Sequence, residues 1–453
     1  MPNNYVLLEK ITVGAAGAAS VTFANIPQTG YTDLVIKSSM RTNGSSFPGN
    51  PWQNLSVALN TNTGSTYRQL FGTGAGVGSD QQAAGFWGTN NVATANTFSN
   101  NEIYIPNYTS SAAKSISIDN VTENNGTDFA AVLWAANYSG VTASVTSITL
   151  TPLSGSLLQF STFYLYGVAA LGTTPAIAPK ASGGDIIATD GTYWYHAFRS
   201  SGTFTPAANL TCGYLVVAGG GGSGFESNAG GGGAGGLRST VTATGGGGAL
   251  ESAVSMAFNT TYTITIGAGG AAAFAGSNTS ISGTGLTTIT STGGGYGANS
   301  GGQSTQKDGG AGGSGGGAGY SGSTYGAGTS GQGYRGGSGY STSSYGSGGG
   351  GGAGAVGGDA TASGAGAGGN GVQITAFATP TETGANSGYY AGGGGGAADS
   401  GSFGAAGLGG GGRGGQPQAT GSTAGTANTG GGGGGYAKSG GSGIVIIRYP
   451  VAS

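Results

Sequence analysis

The sequence predicts an all-β chain in two parts. Residues 1–170 read as an antiparallel β-sandwich. Residues 201–453 read as a glycine-rich domain of packed polyglycine II-type helices with a few β-strands, and residues 171–200 as a linker and connecting strand. Three observations carry this prediction. The first part holds strand-length segments in which apolar and polar residues alternate. Glycine supplies 106 of the 453 residues, against a usual share of about 7%, and most of it lies beyond Gly219. No amphipathic helical stretch of useful length occurs in the first part.

The strands of the sandwich are expected at 31–38 (YTDLVIKS), 55–60 (LSVALN), 102–105 (EIYI), 115–119 (SISID), 130–138 (AAVLWAANY), 141–151 (VTASVTSITLT) and 158–168 (LLQFSTFYLYGV). Many show the period of two that marks a half-buried strand. Asn43-Gly44, Thr63-Gly64 and Asn125-Gly126 supply turn punctuation between them. In 171–184 (LGTTPAIAPKASGG), Pro175 and Pro179 keep the linker extended. An aromatic segment at 192–198 (TYWYHAF) follows, then Gly202–Pro206 and a strand at 214–218 (YLVVA).

Beyond Gly219, nearly pure Gly/Ala runs occupy 219–224, 229–236, 309–319, 348–358, 364–371, 391–397, 409–415 and 430–435. Strands are expected between them at 261–266 (TYTITI), 286–290 (LTTIT) and 372–376 (VQITA), and after them at 443–449 (GIVIIRY). Such runs are either a flexible tether or an ordered lattice. Ordering glycine costs more backbone entropy than ordering any other residue, and side-chain burial cannot offset that cost here. Collagen needs glycine at every third position and abundant proline; the stretch GGGGGAGAVGG at 348–358 has no such register, and the chain has only 12 prolines. Extended three-residue-per-turn helices remain. They have no internal hydrogen bonds, so each must bond sideways to its neighbours. Without Cβ atoms, those neighbours can approach closely enough. The similar lengths of the runs favour the lattice. So do the apolar strands at 214–218 and 444–449, which can pair and close the domain.

Much chemistry is excluded. Thirteen basic against fifteen acidic residues give a net charge of −2, so no basic stripe is available for nucleic acid. No apolar run reaches the roughly 18 residues of a membrane span, and neither nucleic-acid binding nor membrane insertion is expected. The N-terminus lacks the pattern of a signal peptide, and Cys212 is the single cysteine; synthesis in a host cytoplasm is the expectation. One cysteine and one histidine, His196, cannot build a zinc site. His196 sits in an aromatic strand and reads as structural. A Gly-x-Ser-x-Gly match at 312–316 is a chance product of the glycine tract, and no Gly-Lys-Ser/Thr follows any run. Asp119, Glu123 and Asp128 flank the Asn125-Gly126 turn and read as a solvated hairpin tip rather than a carboxylate pair or calcium site. No enzyme activity, metal or cofactor is expected.

The combination of Gly202–Pro206 (GTFTP), 214–222 (YLVVAGGGG), 230–237 (GGGGAGGL), 261–270 (TYTITIGAGG) and 443–449 (GIVIIRY) resembles the glycine-rich domain of bacteriophage tail fibres and adhesins. The resemblance covers 183–453. In related adhesins of T-even-type phages, polyglycine helices form a sandwich whose distal loops bind the bacterial receptor. The resemblance therefore implies a homotrimeric fibre or fibre-tip protein of the virion, on the tail or the capsid surface, working beside other virion structural proteins. The first part is similar, more weakly, to virion-attachment or carbohydrate-binding modules.

Recognition is expected in the intervals between glycine runs, where side chains vary. The interval 320–347 carries Tyr320, Tyr325, Tyr334, Tyr340 and Tyr345 with one charge, Arg335; further intervals carry Tyr389, Tyr390 and Phe403. Tyrosine offers a flat apolar face and a polar rim at low entropy cost, suited to sugar rings. These aromatics either meet the receptor or pack over the lattice ends. In the first part, Trp52 and Trp87 are open between a sugar platform and the core, whereas Trp134 reads as core. The expected function is an adhesin that binds a host surface polysaccharide or outer-membrane protein without altering it. A capsid-attached fibre or decoration protein is the alternative, and a polysaccharide-degrading tailspike a more distant one.

Overall fold

The computed structural model describes residues 5–44, 52–64, 66–72, 77–80, 85–124, 129–169, 178–225, 227–299, 308–320, 324–342, 345–415 and 421–452. The Asn125-Gly126 turn, Asp128, and residues 321–323 and 343–344 of the tyrosine-rich interval lie outside them. The chain divides into one unit of Met1–Pro179 with Asp185–Trp194, and a second of Lys180–Gly184 with Tyr195–Ser453. The architecture is nearly all β, as the alternating pattern requires.

In the first unit the strands are β1 (Tyr5–Thr12), β2 (Val21–Phe23), β3 (Asp33–Met40), β4 (Trp52–Leu59), β5 (Thr66–Gly72), β6 (Val77–Asp80), β7 (Gly85–Thr89), β8 (Ser99–Ile105), β9 (Lys114–Glu123), β10 (Phe129–Tyr138), β11 (Ile148–Pro152) and β12 (Thr162–Val168). One antiparallel sheet runs in the order β1-β12-β3-β8-β9-β10-β5-β6, and a second in the order β2-β11-β4-β7. Strict alternation shows why these segments are strands. Along β10, every second residue from Ala130 to Tyr138 is buried and those between are exposed, the pattern of a sheet with one face packed and one solvated. The inward residues of the two sheets meet in one core: Leu34, Ile36, Ile103, Ile118, Val132 and Phe163 from the first, Phe23, Leu55, Val57 and Phe86 from the second.

The three tryptophans belong to this packing. Trp134 is 5% exposed in the core. Trp52 and Trp87 stack on each other, ring centroids 5.4 Å apart with planes 7° from parallel. Trp87 is buried and Trp52, partly buried, packs against the core, so one face of each ring is taken up by the other.

The second unit opens with β13 (Ala181–Ser182), which pairs with β16 (Gly202–Pro206); in sequence between them come β14 (Ile186–Thr189), which belongs to the first unit, and β15 (Tyr193–Phe198). Next comes β17 (Leu210–Val217), paired antiparallel with the last strand, Ile444–Pro450, in the register Gly213↔Arg448 to Val217↔Ile444. The apolar segments flanking the glycine runs thus close the domain on each other, as their sequences indicate. A five-stranded antiparallel sheet joins β13, β16 and the segments Tyr262–Thr265, Thr279–Gly283 and Leu286–Ser291. The expected strand at 372–376 is a correction: only Val372–Gln373 is extended, and Thr375–Thr381 is a short α-helix. Phe377, Ala378 and Thr381 fall at helical spacing and bury one side of it.

The glycine runs are neither strand nor α-helix, and they are buried. Every residue from Ala229 to Leu237 is inside. The amides of Gly231 and Ala234 donate to Gly348 and Gly351. Those of Gly232 and Gly235 donate to Gly433 and Gly430, and those of Gly233 and Gly236 to Gly295 and Thr292, all at 2.8–3.1 Å. Three further segments donate back: Gly224, Gly221 and Ala218 to Gly230, Gly233 and Gly236; Gly317 and Ser314 to Gly231 and Ala234; Ala397 and Gly394 to Ala229 and Gly232. Each partner segment recurs every third residue. The backbone carries the cohesion that side chains supply elsewhere, at about 0.5–1.5 kcal/mol net per bond, and leaves few buried amides without a partner. Close approach is what demands glycine. A Cβ on Gly350 would overlap the Gly232 carbonyl, and one on Gly232 the Gly221 carbonyl.

Candidate functional site

The lattice register sorts the turns of the second unit into two ends. At one end, the strands β17 and Ile444–Pro450 feed into the runs. At the other, turns of widely separated sequence are gathered, and their positions follow from backbone bonds to a few central residues. The Gly224 amide donates to Gly230 at 3.2 Å and closes the turn holding Phe225. Gly222 donates to Phe274, and Ala273 to Ser223, which sets the turn of Phe274 beside it. Tyr340 donates to Gly346 at 2.8 Å, closing the turn of Tyr345, while Gly231 donates to Gly348. Ala397 donates to Ala229 and Gly404 to Gly396, placing Phe403 at the same end.

The rings there face solvent: Phe274 is 66% exposed, Phe225 52%, Tyr345 44% and Phe403 38%. Tyr320 meets Tyr345 edge-on, centroids 5.5 Å apart. Arg413 lies over the Phe403 ring at 4.6 Å and is held in place by its Nε donating to the Gly421 carbonyl at 3.0 Å. A guanidinium stacked in this way keeps its remaining N–H groups available at its edge.

Of the nine residues expected to carry recognition, Tyr320, Tyr340, Tyr345 and Phe403 belong to this end. Tyr325 and Arg335 form a separate pair along the flank, with the guanidinium 4.2 Å over the ring, its Nη1 donating to Gly336 at 2.7 Å and 3.7 Å from Asp359. Tyr334 lies toward the strand end, where the neighbouring Gln332 carbonyl accepts from Leu237. Tyr389 and Tyr390 also lie there, next to Ala391, which donates to Thr429. Tyr390 is wholly buried and its hydroxyl is 2.6 Å from that of Thr383; burial pushes its phenol above the ordinary range. It packs the unit and offers no surface. Phe225 and Phe274 are the residues that sequence reasoning missed. The available signal was a lone aromatic in an otherwise small-residue turn, SGFESN at 223–228 and AAAFAGSN at 271–278.

Among the described residues no group of His, Cys, Asp and Glu could hold a metal ion, and no helix is long and apolar enough to cross a membrane. His196 is fully buried, with Nδ1 at 2.7 Å from the Gly183 carbonyl and Nε2 at 3.0 Å from the Tyr449 hydroxyl.

The family model described as a glycine-rich domain matches residues 199–450, more than half of the chain. The chain belongs to the glycine-rich domain family. In this member of the family, the match spans the runs, the closing strands and every turn of the aromatic end. No curated protein and no solved structure matches the chain.

Proposed function

We propose that this glycine-rich domain protein is a phage fibre or adhesin of the virion that binds a host bacterial surface receptor through the aromatic end of its second unit. The observation that carries the reading is the gathering of four exposed rings, Phe225, Phe274, Tyr345 and Phe403, from turns far apart in sequence. The scaffold under them is rigid because each run bonds laterally to several others. Rigid aromatic anchors set among Ser, Gly and Asn are the mixture that makes adaptable binding surfaces at low entropy cost. In this reading the runs are polyglycine II-type helices, and the three-residue recurrence of their partners supports that conformation. If three copies assemble as a homotrimer, weak contacts act together and avidity rises by about 10²–10⁴.

The test is adsorption of purified chain to a panel of bacterial strains. Combined Phe225→Ala, Phe274→Ala, Tyr345→Ala and Phe403→Ala substitutions are expected to abolish retention on strains that hold the parent. A second set, Tyr325→Ala, Tyr334→Ala and Tyr340→Ala, is expected to weaken it less. Full retention by the first set at unchanged thermal midpoint refutes the reading.

A further inference from the structure

The outward positions of β10 are Phe129, Ala131, Leu133, Ala135 and Asn137. All but the last are apolar, whereas the solvated side of an antiparallel sheet ordinarily reads polar. β9 beside it follows that rule with Ser115, Ser117 and Asp119. Register extends the apolar area to both neighbouring strands: Leu133 stands opposite Leu70 on β5, and Ala131 opposite Val121 on β9. These side chains meet solvent, with Leu133 55% exposed, Leu70 52%, Phe129 49% and Val121 42%. Apolar residues exposed singly are ordinary, but a contiguous patch marks a surface that another molecule covers. Charges of opposite sign flank it on opposite sides. Exposed Arg68 stands opposite Ala135 on the β5 side, and exposed Asp119 opposite Leu133 on the β9 side.

We infer that this face joins two copies of the chain about a two-fold axis running along β10. Such an axis, lying between two stacked sheets, sets β10 on β10 and β5 of each copy over β9 of the other. Arg68 shares its row with Ala135 and Ser117. The axis therefore carries it over Ser117 of the second copy, one outward position along β9 from Asp119. The opposite charges then meet twice, once on each flank, as an isologous contact requires. Sheets stack on sheets at about 10 Å with side chains filling the gap. Any other partner must supply an apolar centre, an acid for Arg68 and a base for Asp119, whereas a second copy brings all three together. Size sets the strength of the contact. Phe129 to Ala135 covers about 20 Å of strand, and the apolar centre on the order of 300 Å², below the roughly 800 Å² per partner of a standard interface. The dimer is therefore weak and forms at micromolar concentrations and above. It pairs chains, where the resemblance to phage fibres implies trimers.

The test is sedimentation equilibrium of the full chain from about 1 to about 200 μM, the range in which a contact of this size acts. The mass is expected to rise from one chain to two. Leu133→Lys, at an exposed position that the fold does not need, is expected to hold the chain monomeric throughout at an unchanged thermal midpoint. Arg68→Glu and Asp119→Lys are each expected to weaken pairing about tenfold, and the chain carrying both to recover most of it, because the swapped charges meet again. Leu133 lies on the axis, so a short bismaleimide is expected to join two Leu133→Cys chains into a covalent dimer, while buried Cys212 leaves the parent unjoined. Phe274→Ala is expected to pair like the parent, so the contact stands or falls apart from the receptor reading. A monomer at every concentration, an assembly whose mass survives Leu133→Lys, a trimer, or a double charge variant no better than the single ones would overturn the inference.

Discussion

The hydroxyl of Tyr449 lies 3.0 Å from Nε2 of His196 and also accepts the Lys180 amide at 2.9 Å. These contacts fix the direction of each proton. The Gly183 carbonyl can only accept, so Nδ1 carries the imidazole hydrogen. In the neutral ring Tyr449 then donates to Nε2, and the chain of bonds ties β13 to the last strand.

Removing the ring is therefore expected to loosen this cluster. His196→Ala takes away the donor to the Gly183 carbonyl and the ring partner of the Tyr449 hydroxyl, at a cost of about 1–3 kcal/mol for buried groups that lose a partner. Thermal unfolding measures this, and a midpoint equal to the parent's would show that His196 contributes nothing to holding the cluster.

Cys212 gives a test of burial on β17. It is fully buried on β17, and desolvation pushes its thiol up to about 12. Only the thiolate is nucleophilic. At pH 8 the folded chain is expected to resist iodoacetamide, with labelling appearing only once the second unit is denatured. Stoichiometric labelling of native protein would place the thiol in a more open environment.

The Arg238–Glu251 pair holds the turn after Leu237–Ser239 to β17. Arg238 donates to Glu251 through Nε at 2.6 Å and Nη2 at 2.8 Å, and the Tyr214 hydroxyl donates to the same carboxylate. Both partners are more than two-thirds covered. Glu251→Ala removes the acceptor and leaves a guanidinium and a phenol partly buried, at a cost of about 2 kcal/mol. Denaturant unfolding measures this; a loss well under half that size would mean that solvent already satisfies the cluster.

Much of the first unit was legible because side chains report burial directly. The alternation in 115–119 and 130–138 marks β9 and β10, and the apolar 214–218 and 443–449 announce the pair that closes the second unit. The lattice interior is legible only as a composition. Its register rests on bonds such as Gly231 to Gly348, and glycines carry no signal to say which run lies beside which. For that reason the sequence could nominate Tyr390 and Phe403 alike, although one is buried and the other exposed. It also could not bring Phe225 and Phe274 together, since 48 residues of sequence lie between the two rings, and only the bond from Ala273 to Ser223 sets their turns at one end. Trp52 and Trp87 were ambiguous for a related reason, because stacking across β4 and β7 depends on pairing.

The interior of the lattice should reject any side chain. Gly350 donates to Gly394 at 2.8 Å, and a Cβ there meets the Gly232 carbonyl carbon at 2.5 Å. Backbone cannot rotate aside as a side chain can, so the cost exceeds the roughly 3 kcal/mol of ordinary overpacking. Gly350→Val is expected to give insoluble or unfolded second unit. The natural Val356 is the contrast, since it lies in a turn and is 47% exposed. A Gly350→Val chain melting at the parent temperature would show that the runs are not packed backbone to backbone.

Amide exchange probes the same cohesion without a substitution. If the runs hold one another, the amides of Gly231–Gly236, each bonded to a different run from its neighbour, open only when the unit unfolds as a whole. Their exchange is then expected to be among the slowest in the chain, with similar opening free energies along the run. The Gly331 amide, in a turn with φ of 75° and open space around it, is expected to exchange much faster. A flexible tether would give the reverse: glycine amides beyond Gly219 exchanging at unprotected rates while β17 stays protected by its own ladder. That result would also remove the support beneath Phe225, Phe274, Tyr345 and Phe403, because their common location depends on bonds from those amides.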